Sequence, residues 1–564
     1  MLALSTHLEG RSVRKLNDCG ESYRETSAIR TSAFMIEQMQ PLESWTVPNL
    51  FEQAVSRTPE ATAIVDLETG REYTYAELDA ETAAIASWFA EQGIGKGDRV
   101  AICLKNRPEH ILTVLATQRI GAIAVPFNFR LAPEGIRYTL EHCRPAAFVY
   151  GPAVEATVRT LRPDLDVPIE TYVTVATDPP SFATPFERLP DEKVGEMDVR
   201  VDPEDTSVIL YSSGTTGRPK GIEINHAASA ARPVINTIGQ RFRLQTECMV
   251  GVMPLYHTVG LHGVVLTMVA LSGTVLTLHD FEPEAVLDAI DEHGVTALHE
   301  APTIFRALVD SPACNRTDAE SIRVLTYSGA PMESPLLSEV IDAFDPAFVS
   351  NQYGCTEAFG PLGQIDLQDP DTAEPATDPT WTGPTNIMQQ TRIVDSERKD
   401  PDAVLESGMH GELLISTASP TIFSGYWNDS EETESAVRDG WFFTGDMAYR
   451  TPDGNTVITG RVDDMIISGG ENIYPAALED VLSAHPAVAS AAVVGTPDDR
   501  WGEVPKAYIV RADPVTADEL DEWCLNRPDL AEFKRPREYE FVTNLPRNPS
   551  GKIKRYELHD SDNE

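Results

Sequence analysis

Lysine is scarce in this chain: only ten of its 45 basic residues are lysine, set against 88 carboxylates, and the formal net charge is −43. Such a surplus of negative charge argues against a nucleic-acid partner and against an anionic membrane, since both surfaces would repel the protein. Carboxylate excess with little lysine reads as halophilic adaptation, in which concentrated salt screens self-repulsion, in preference to an acidic-partner role. Cysteine is also sparse. Seven residues, with no Cys-x-x-Cys pair and no Cys/His cluster at metal spacing, exclude a disulfide framework and a zinc site and suit a reducing cytoplasm. The richest apolar run, residues 263–278, is broken by Ser272-Gly273 and is too short to cross a bilayer, so no membrane span is expected. No secretory signal, repeat or low-complexity tract is evident.

What the chain does contain is ample apolar sequence over 564 residues, more than one hydrophobic core supports, so two or more domains are expected. Residues 1–34 hold five basic and four acidic side chains, a balance of +1 against −44 for the remainder. They read as a disordered tail or as the product of a start codon set too early, with Met35 or Met39 as the true start, and residues 1–43 are set apart as atypical. From residue 44 the pattern turns globular. Asn49 with Glu52 and Thr74 with Glu77 each have the spacing of a capping box, and the second opens an amphipathic run through Leu78, Ile85, Trp88 and Phe89 that stops at Gly93. Residues 100–104, 109–120 and 122–125 then read as strand, helix and strand. The β-α order recurs through 148–150, the strand at Val208, the 264–278 segment and 324–326, which predicts mostly parallel sheets covered by helices. Short strands at 392–394 and 411–416 and the 440–446 segment suggest a smaller β-rich unit. Arg461-Val462-Asp463-Asp464 stands between two strand-like runs, a candidate hinge into a C-terminal domain of about one hundred residues. The expected architecture is α/β: a large N-terminal domain, 44–460, and a smaller mobile α+β domain, 461–564.

One stretch carries chemistry by composition alone. A buried-strand pattern at 207–210 leads into Tyr211-Ser212-Ser213-Gly214-Thr215-Thr216-Gly217-Arg218-Pro219-Lys220-Gly221. Glycines allow positive φ and close approach of backbone N–H groups to an anion, and the hydroxyls add donors, so the loop suits phosphate. It is not the common P-loop, since Arg218 and Pro219 separate Gly217 from the lysine. Taken alone, a flexible surface turn explains it equally well. In a mostly parallel sheet, binding loops sit at the carboxyl ends of strands, so this loop, the 327–332 segment and the 351–357 segment can converge on one crevice.

Taken together, residues 211–221, Pro254-Leu255-Tyr256-His257, Tyr353-Gly354-Cys355-Thr356-Glu357, Thr444-Gly445-Asp446, Gly460-Arg461-Val462-Asp463-Asp464 and Ser550-Gly551-Lys552 stand in the order and spacing of the adenylate-forming enzymes. The chain resembles acyl-CoA synthetases, luciferases and peptide-synthetase adenylation domains from about residue 44 onward. It is most similar to 4-chlorobenzoate–CoA ligase-like aryl or medium-chain acyl-CoA ligases. The resemblance implies an AMP-forming carboxylate–CoA ligase that uses ATP, Mg²⁺ and CoA on a small carboxylic acid. A carboxylate attacks the α-phosphorus of ATP, pyrophosphate departs, and a thiolate then displaces AMP. Because the first step brings two anions together, fixed dipoles and cations must supply most of the catalysis.

By the same resemblance, Ser212, Ser213, Gly214, Thr215, Thr216, Gly217 and Lys220 hold the departing phosphates, with Thr216 and Glu357 at the metal, where hard oxygen donors suit a hard ion. Gly329, Ala330, Pro331, Tyr353, Gly354 and Thr356 border the adenine, Asp446 accepts the ribose hydroxyls, and Arg461 is a second nucleotide contact. Lys552 is the catalytic lysine of adenylation. Asp463 is the hinge residue about which the C-terminal lid swings to withdraw Lys552 and to bring Gly469 and Gly470 to the pantetheine channel. His257 stands beside the acyl pocket, whose other walls are 328–330, Gln352, Gly354 and Gly360. Gln352 and Cys355 depart from the chlorobenzoate ligases, which puts an unsubstituted haloaryl pocket in doubt. Loading of a carrier protein and a catalytically idle nucleotide binder stay open as alternatives, as does a homodimer.

Overall fold

The computed structural model describes residues 45–189, 199–212, 219–330, 332, 334–359, 366–367, 381–469, 471–498, 500–527, 530–547 and 553–560. At Thr74 the expected capping box forms in full. The Thr74 hydroxyl accepts the Glu77 N–H at 3.2 Å and the Glu77 carboxylate accepts the Thr74 N–H at 2.8 Å, which satisfies two donors that a helix start leaves orphaned. The helix Tyr75–Glu91 buries Leu78, Ile85, Trp88 and Phe89 and is followed by Gly93 at φ +80°. At Asn49 the outcome differs. The helix is Val47–Arg57 and its cap is Thr46, which accepts the Asn49 N–H at 3.4 Å. Pro48 in the first turn decides this, since it has no N–H that would need an acceptor and arrives with helical φ; Asn49 is therefore inside the helix.

Two large sheets carry the region from Thr62 to Gln352, joined by one later edge strand. One has seven strands in the order Phe348–Gln352, Val324–Ser328, Ala297–Glu300, Cys248–Gly251, Thr274–Thr277, Thr62–Asp66, Glu72–Thr74, parallel throughout except for the last pair. The other has eight, with parallel strands from Thr206–Ser212 through Ile123–Pro126, Arg99–Cys103, Ala147–Tyr150 and Thr171–Thr174 to Thr184–Pro185, and antiparallel strands Lys220–Asn225 and Gly425–Tyr426 on its other edge. Helices Tyr75–Glu91 and Pro108–Arg119 pack on each other and, with Phe51, Val100, Val208, Leu261 and Val275, share one continuous apolar core. The segment expected to contribute a strand at 264–278 is mainly helical. A π-helix, Val259–Leu266, runs into the helix Thr267–Leu271, and only Thr274–Thr277 is strand. A short apolar run does not by itself distinguish a buried helix from a buried strand. Gly260 explains the tight start, because a Cβ there would lie 2.3 Å from the Pro254 carbonyl oxygen.

The expected β-rich unit is a six-stranded antiparallel sheet built on Trp441–Arg450, with Gly411–Ser416 on one side and Thr456–Arg461 on the other. A fourth sheet follows, in which Ile466–Ser468, Val488–Asp498 and Glu538–Val542 all pair with Gly502–Arg511. Its core is its own, formed by Ile466, Leu478, Leu482, Val493, Ile509 and Leu520. The architecture is thus α/β, a large region of parallel-rich sheets followed by a smaller C-terminal region. No helix among the described residues is long and apolar enough to cross a membrane.

Candidate active site

Strand Thr206–Ser212 is buried from Ser207 to Tyr211 and pairs antiparallel with Lys220–Asn225, Ser212 standing opposite Lys220. The hydroxyl- and glycine-rich residues between them thus join two strands, so that no helix N-terminus follows the loop to supply its dipole to an anion. Gly221 is required by packing, since a Cβ would meet Ile209 at 3.1 Å and Trp427 at 3.2 Å. The Lys220 ammonium pairs with the Glu432 carboxylate and lies 5.3 Å from the centre of the Tyr426 ring. Tyr426 in turn donates its hydroxyl to the Glu357 carboxylate at 3.0 Å. Burial, followed by the Glu357 charge, holds the Tyr426 phenol far above its ordinary range, so it is a fixed donor at any working pH.

Glu357 follows strand Phe348–Gln352, and the chain around it is tied down from both sides. Its carbonyl accepts the Phe423 N–H at 2.6 Å, and Ala358 bridges to Ile422. Burial raises the Glu357 carboxyl above its usual range, against the pull of its own N–H and the Tyr426 hydroxyl; Asp446 adds repulsion and Arg461 attraction. Glu357 and Asp446 therefore sense each other's charge. Asp446 is the focus of a second network: one carboxylate oxygen accepts the Tyr353 hydroxyl and the other accepts Arg461 Nη1 at 2.8 Å. Register produces this pair, because Asp446 and Arg461 are direct partners on neighbouring antiparallel strands. Arg461 also donates to the Thr444 carbonyl at 3.0 Å. Burial would lower its pKa, but attraction to Asp446 outweighs burial and holds it above the ordinary value. Gly445 takes φ +69°, and a Cβ there would lie 2.8 Å from the Arg461 guanidinium; the Thr-Gly-Asp sequence makes room for that ion pair.

His257 sits in a segment gripped by Asn106, whose amide donates to the carbonyls of Gly251, Val252 and Met253 at 2.7, 3.1 and 3.0 Å and accepts the Leu255 N–H at 3.0 Å. A small cavity of about 90 Å³ opens beside this segment, bounded by Asn106, Arg130, Met253, Pro254 and His279. Burial, helped by Arg130, pushes the His257 imidazole down to about 4, so it is neutral near pH 7. Ser328, which ends the neighbouring strand, contacts the buried His299 Nε2 at 3.0 Å. Gly329 follows with φ +85°.

The profile of the AMP-binding enzyme family matches residues 51–427, and that of the AMP-binding enzyme C-terminal domain matches residues 477–552. The chain belongs to the AMP-binding enzyme family. It is 33% identical over 518 residues to 4-chlorobenzoate–CoA ligase of Arthrobacter sp, covering 89% of this chain and 93% of that protein. To feruloyl-CoA synthase of Amycolatopsis sp it is 34% identical over 523 residues, covering 92% and 98%. Among solved structures it resembles o-succinylbenzoate CoA synthetase of Bacillus subtilis in complex with its acyl-adenylate intermediate, with a TM-score of 0.77, 29% identity, and coverage of 91% and 98%. The protein is an AMP-forming acid–thiol ligase, for which ATP and CoA are the fitting co-substrates.

In this AMP-binding enzyme the described structure brings Tyr353, Asp446, Arg461 and Glu357 into one electrostatic neighbourhood and links Lys220 to it through Tyr426. Thr356 and Gly354 lie in the same segment, and Gly329 and Ala330 follow the adjacent strand. Asp463 is exposed in the turn between Thr456–Arg461 and Ile466–Ser468, and Gly469, at φ +61°, donates its N–H to the Trp501 carbonyl at 2.7 Å. Ser213, Gly214, Thr215, Thr216, Gly217, Pro331, Gly360, Gly470 and Lys552 lie outside the described residues. Sequence reasoning missed Tyr426 and Glu432. The Gly-Tyr-Trp run at 425–427 was the available signal for the first, whereas Glu432 is one of many acidic residues on a solvated helix. No group of three or more His, Cys, Asp or Glu that could hold a metal occurs among the described residues. A lone, part-buried carboxylate whose charge is disfavoured by burial nevertheless fits Mg²⁺ of the kind that takes most of its ligands from phosphate and water.

Proposed function

We propose that this protein ligates an aryl carboxylic acid to CoA through an acyl-adenylate. The observation that carries the reading is the coupling of Glu357 to the Asp446–Arg461–Tyr353 cluster at one end and to Tyr426 and Lys220 at the other. A hard anionic ligand, a diol acceptor and a phosphate-side cation would thus stand in one connected network. Asp446 would exchange its internal donors for the ribose hydroxyls, as a carboxylate can accept two bonds at once. Lys220 and the loop before it would hold the β- and γ-phosphates as the substrate carboxylate attacks the α-phosphorus and pyrophosphate leaves. Glu357, with Thr216, would hold Mg²⁺, which when bound neutralises phosphate charge. Lys552 would bridge the carboxylate and the α-phosphate. Residues 461–564 would then reorient about Asp463, so that the CoA sulfur attacks the acyl carbon and AMP departs; only residues 462–465 separate the last strand of one sheet from the first of the next. The aryl class is favoured by the names of the curated relatives and by the polar groups at the strand ends, Gln352 and Ser328, which suit a ring bearing a polar substituent.

A panel of benzoate, hydroxycinnamate, branched and medium-chain acids, run with ATP, CoA and Mg²⁺ in concentrated KCl, tests the proposal by mass detection of the thioester. Thioester from aryl acids with stoichiometric AMP is the expected result. Turnover confined to aliphatic acids would overturn the substrate class, and ATP–pyrophosphate exchange without any CoA thioester would overturn the acceptor.

A further inference from the structure

Arg232 is completely buried on the helix His226–Gly239, and no ion pair to a carboxylate is found for it among the described residues. Its guanidinium spends its donors on three separate segments. Nε and Nη2 donate to the Thr421 carbonyl at 3.3 and 3.1 Å, Nη2 donates also to the Thr356 carbonyl at 3.0 Å, and Nη1 donates to the Thr258 hydroxyl at 3.2 Å. The charge lies 5.3 Å from the centre of the Phe359 ring. Burying a guanidinium without a counter-ion is costly, and an apolar side chain would pack the same space with no such penalty. What the arginine provides here is reach: a planar fork can bond several fixed acceptors at once, which a lysine ammonium cannot.

Those acceptors are not random parts of the chain. Thr356 immediately precedes Glu357. Thr421 immediately precedes Ile422, whose neighbour Phe423 donates its N–H to the Glu357 carbonyl, while Ile422 itself bridges to Ala358. Arg232 thus staples the backbone segment that carries Glu357 to the segment that pairs with it and fastens both to Thr258, next to His257. Burial lowers the guanidinium's pKa to about 9, and attraction to the Glu357 carboxylate on that same loop opposes it. We infer that Arg232 is a positioning residue for nucleotide binding: it fixes the Thr356 and Thr421 carbonyls so that the Glu357 carboxylate is presented in one place, with a permanent positive charge behind it. The inference rests on the proposed role of Glu357 at the metal.

The test is ATP binding to the full-length protein by calorimetry, once with Mg²⁺ and once with EDTA, for Arg232→Met, Arg232→Lys, Glu357→Gln and the Arg232→Met/Glu357→Gln double variant, with thermal melts alongside. Arg232→Met should weaken ATP binding in Mg²⁺ about tenfold, the loss of about one charge-assisted hydrogen bond. Binding in EDTA should change by less than about twofold, and Arg232→Lys should fall between. On the Glu357→Gln background, Arg232→Met should have no further effect on the Mg²⁺-dependent part, because Arg232 acts through that carboxylate. An equal loss in Mg²⁺ and EDTA, or an undiminished loss on the Glu357→Gln background, would show ordinary scaffolding and overturn the inference. An unchanged Arg232→Met would overturn it too, while Glu357→Gln still losing its Mg²⁺ response would leave the reading of Glu357 standing. A Glu357→Gln protein with a normal Mg²⁺ response would overturn both. If Arg232→Met does not fold, Arg232→Lys decides by the same comparison, because it keeps the charge and loses the span.

Discussion

Glu300 offers the sharpest prediction because its surroundings are so simple. It ends strand Ala297–Glu300, is fully buried, and neither carboxyl oxygen has a hydrogen-bond partner among the described residues. Burial alone raises its pKa well above the usual 4.5. In the window between the unfolded and folded pKa, the folded state holds a proton that the unfolded state has released, so stability falls as pH rises, by about 1.4 kcal/mol per pH unit. Glu300→Gln keeps the shape and removes the titration. Wild type and variant should therefore be nearly equal at pH 5, and from there to pH 7 the variant should gain up to about 2.7 kcal/mol, two pH units at that slope. Melting entropy near 2.1 cal/mol/K per residue makes this about 3 °C for a unit of about five hundred residues. The assay is thermal melting of both proteins at pH 5, 6 and 7 at one KCl concentration, read as the difference between them so that other titrating groups cancel. A gap that stays constant from pH 5 to pH 7 would refute the reasoning, since it would mean that Glu300 is not held protonated by folding.

Two further outcomes follow from the site. Asp446→Asn removes the charge that orients Arg461 and Tyr353 and the acceptor proposed for the ribose; ATP and AMP should each bind about 10- to 100-fold more weakly, the cost of a charge-assisted hydrogen bond. Calorimetry with AMP alone checks this, and unchanged AMP affinity would remove Asp446 from the nucleotide site. Lys552→Ala should lower carboxylate-dependent ATP–pyrophosphate exchange by about a hundredfold or more while thioester formation from supplied acyl-adenylate stays within a few-fold of wild type, because the lysine's proposed work is confined to the first half-reaction. Equal loss of both half-reactions would refute that assignment.

Much of the frame was legible along the chain because local rules governed it. Thr74 and Glu77 formed the capping box that their spacing predicts, and the strand at 411–416 ended where the sequence pattern ends. The 264–278 segment was misjudged because a short apolar run has no period to separate helix from strand; the close approach of Gly260 to the Pro254 carbonyl, which belongs to tertiary packing, accompanies the π-helix there. Asn49 was misjudged for a smaller reason, the proline beside it.

The sequence by itself determined the family, the α/β order of elements and the identity of the reactive residue types, since these depend on motif spacing and on periodicities that neighbours in the chain enforce. Only the tertiary structure decided who serves whom. Asp446 meets Arg461 through strand register, Tyr353 meets Asp446 across two sheets, Tyr426 hands its hydroxyl to Glu357, and Arg232 reaches carbonyls 124 and 189 residues away. No local pattern encodes such pairings, because each is fixed by the path of separate segments into one core, where a buried donor or charge is stable only if a partner from elsewhere in the chain arrives beside it.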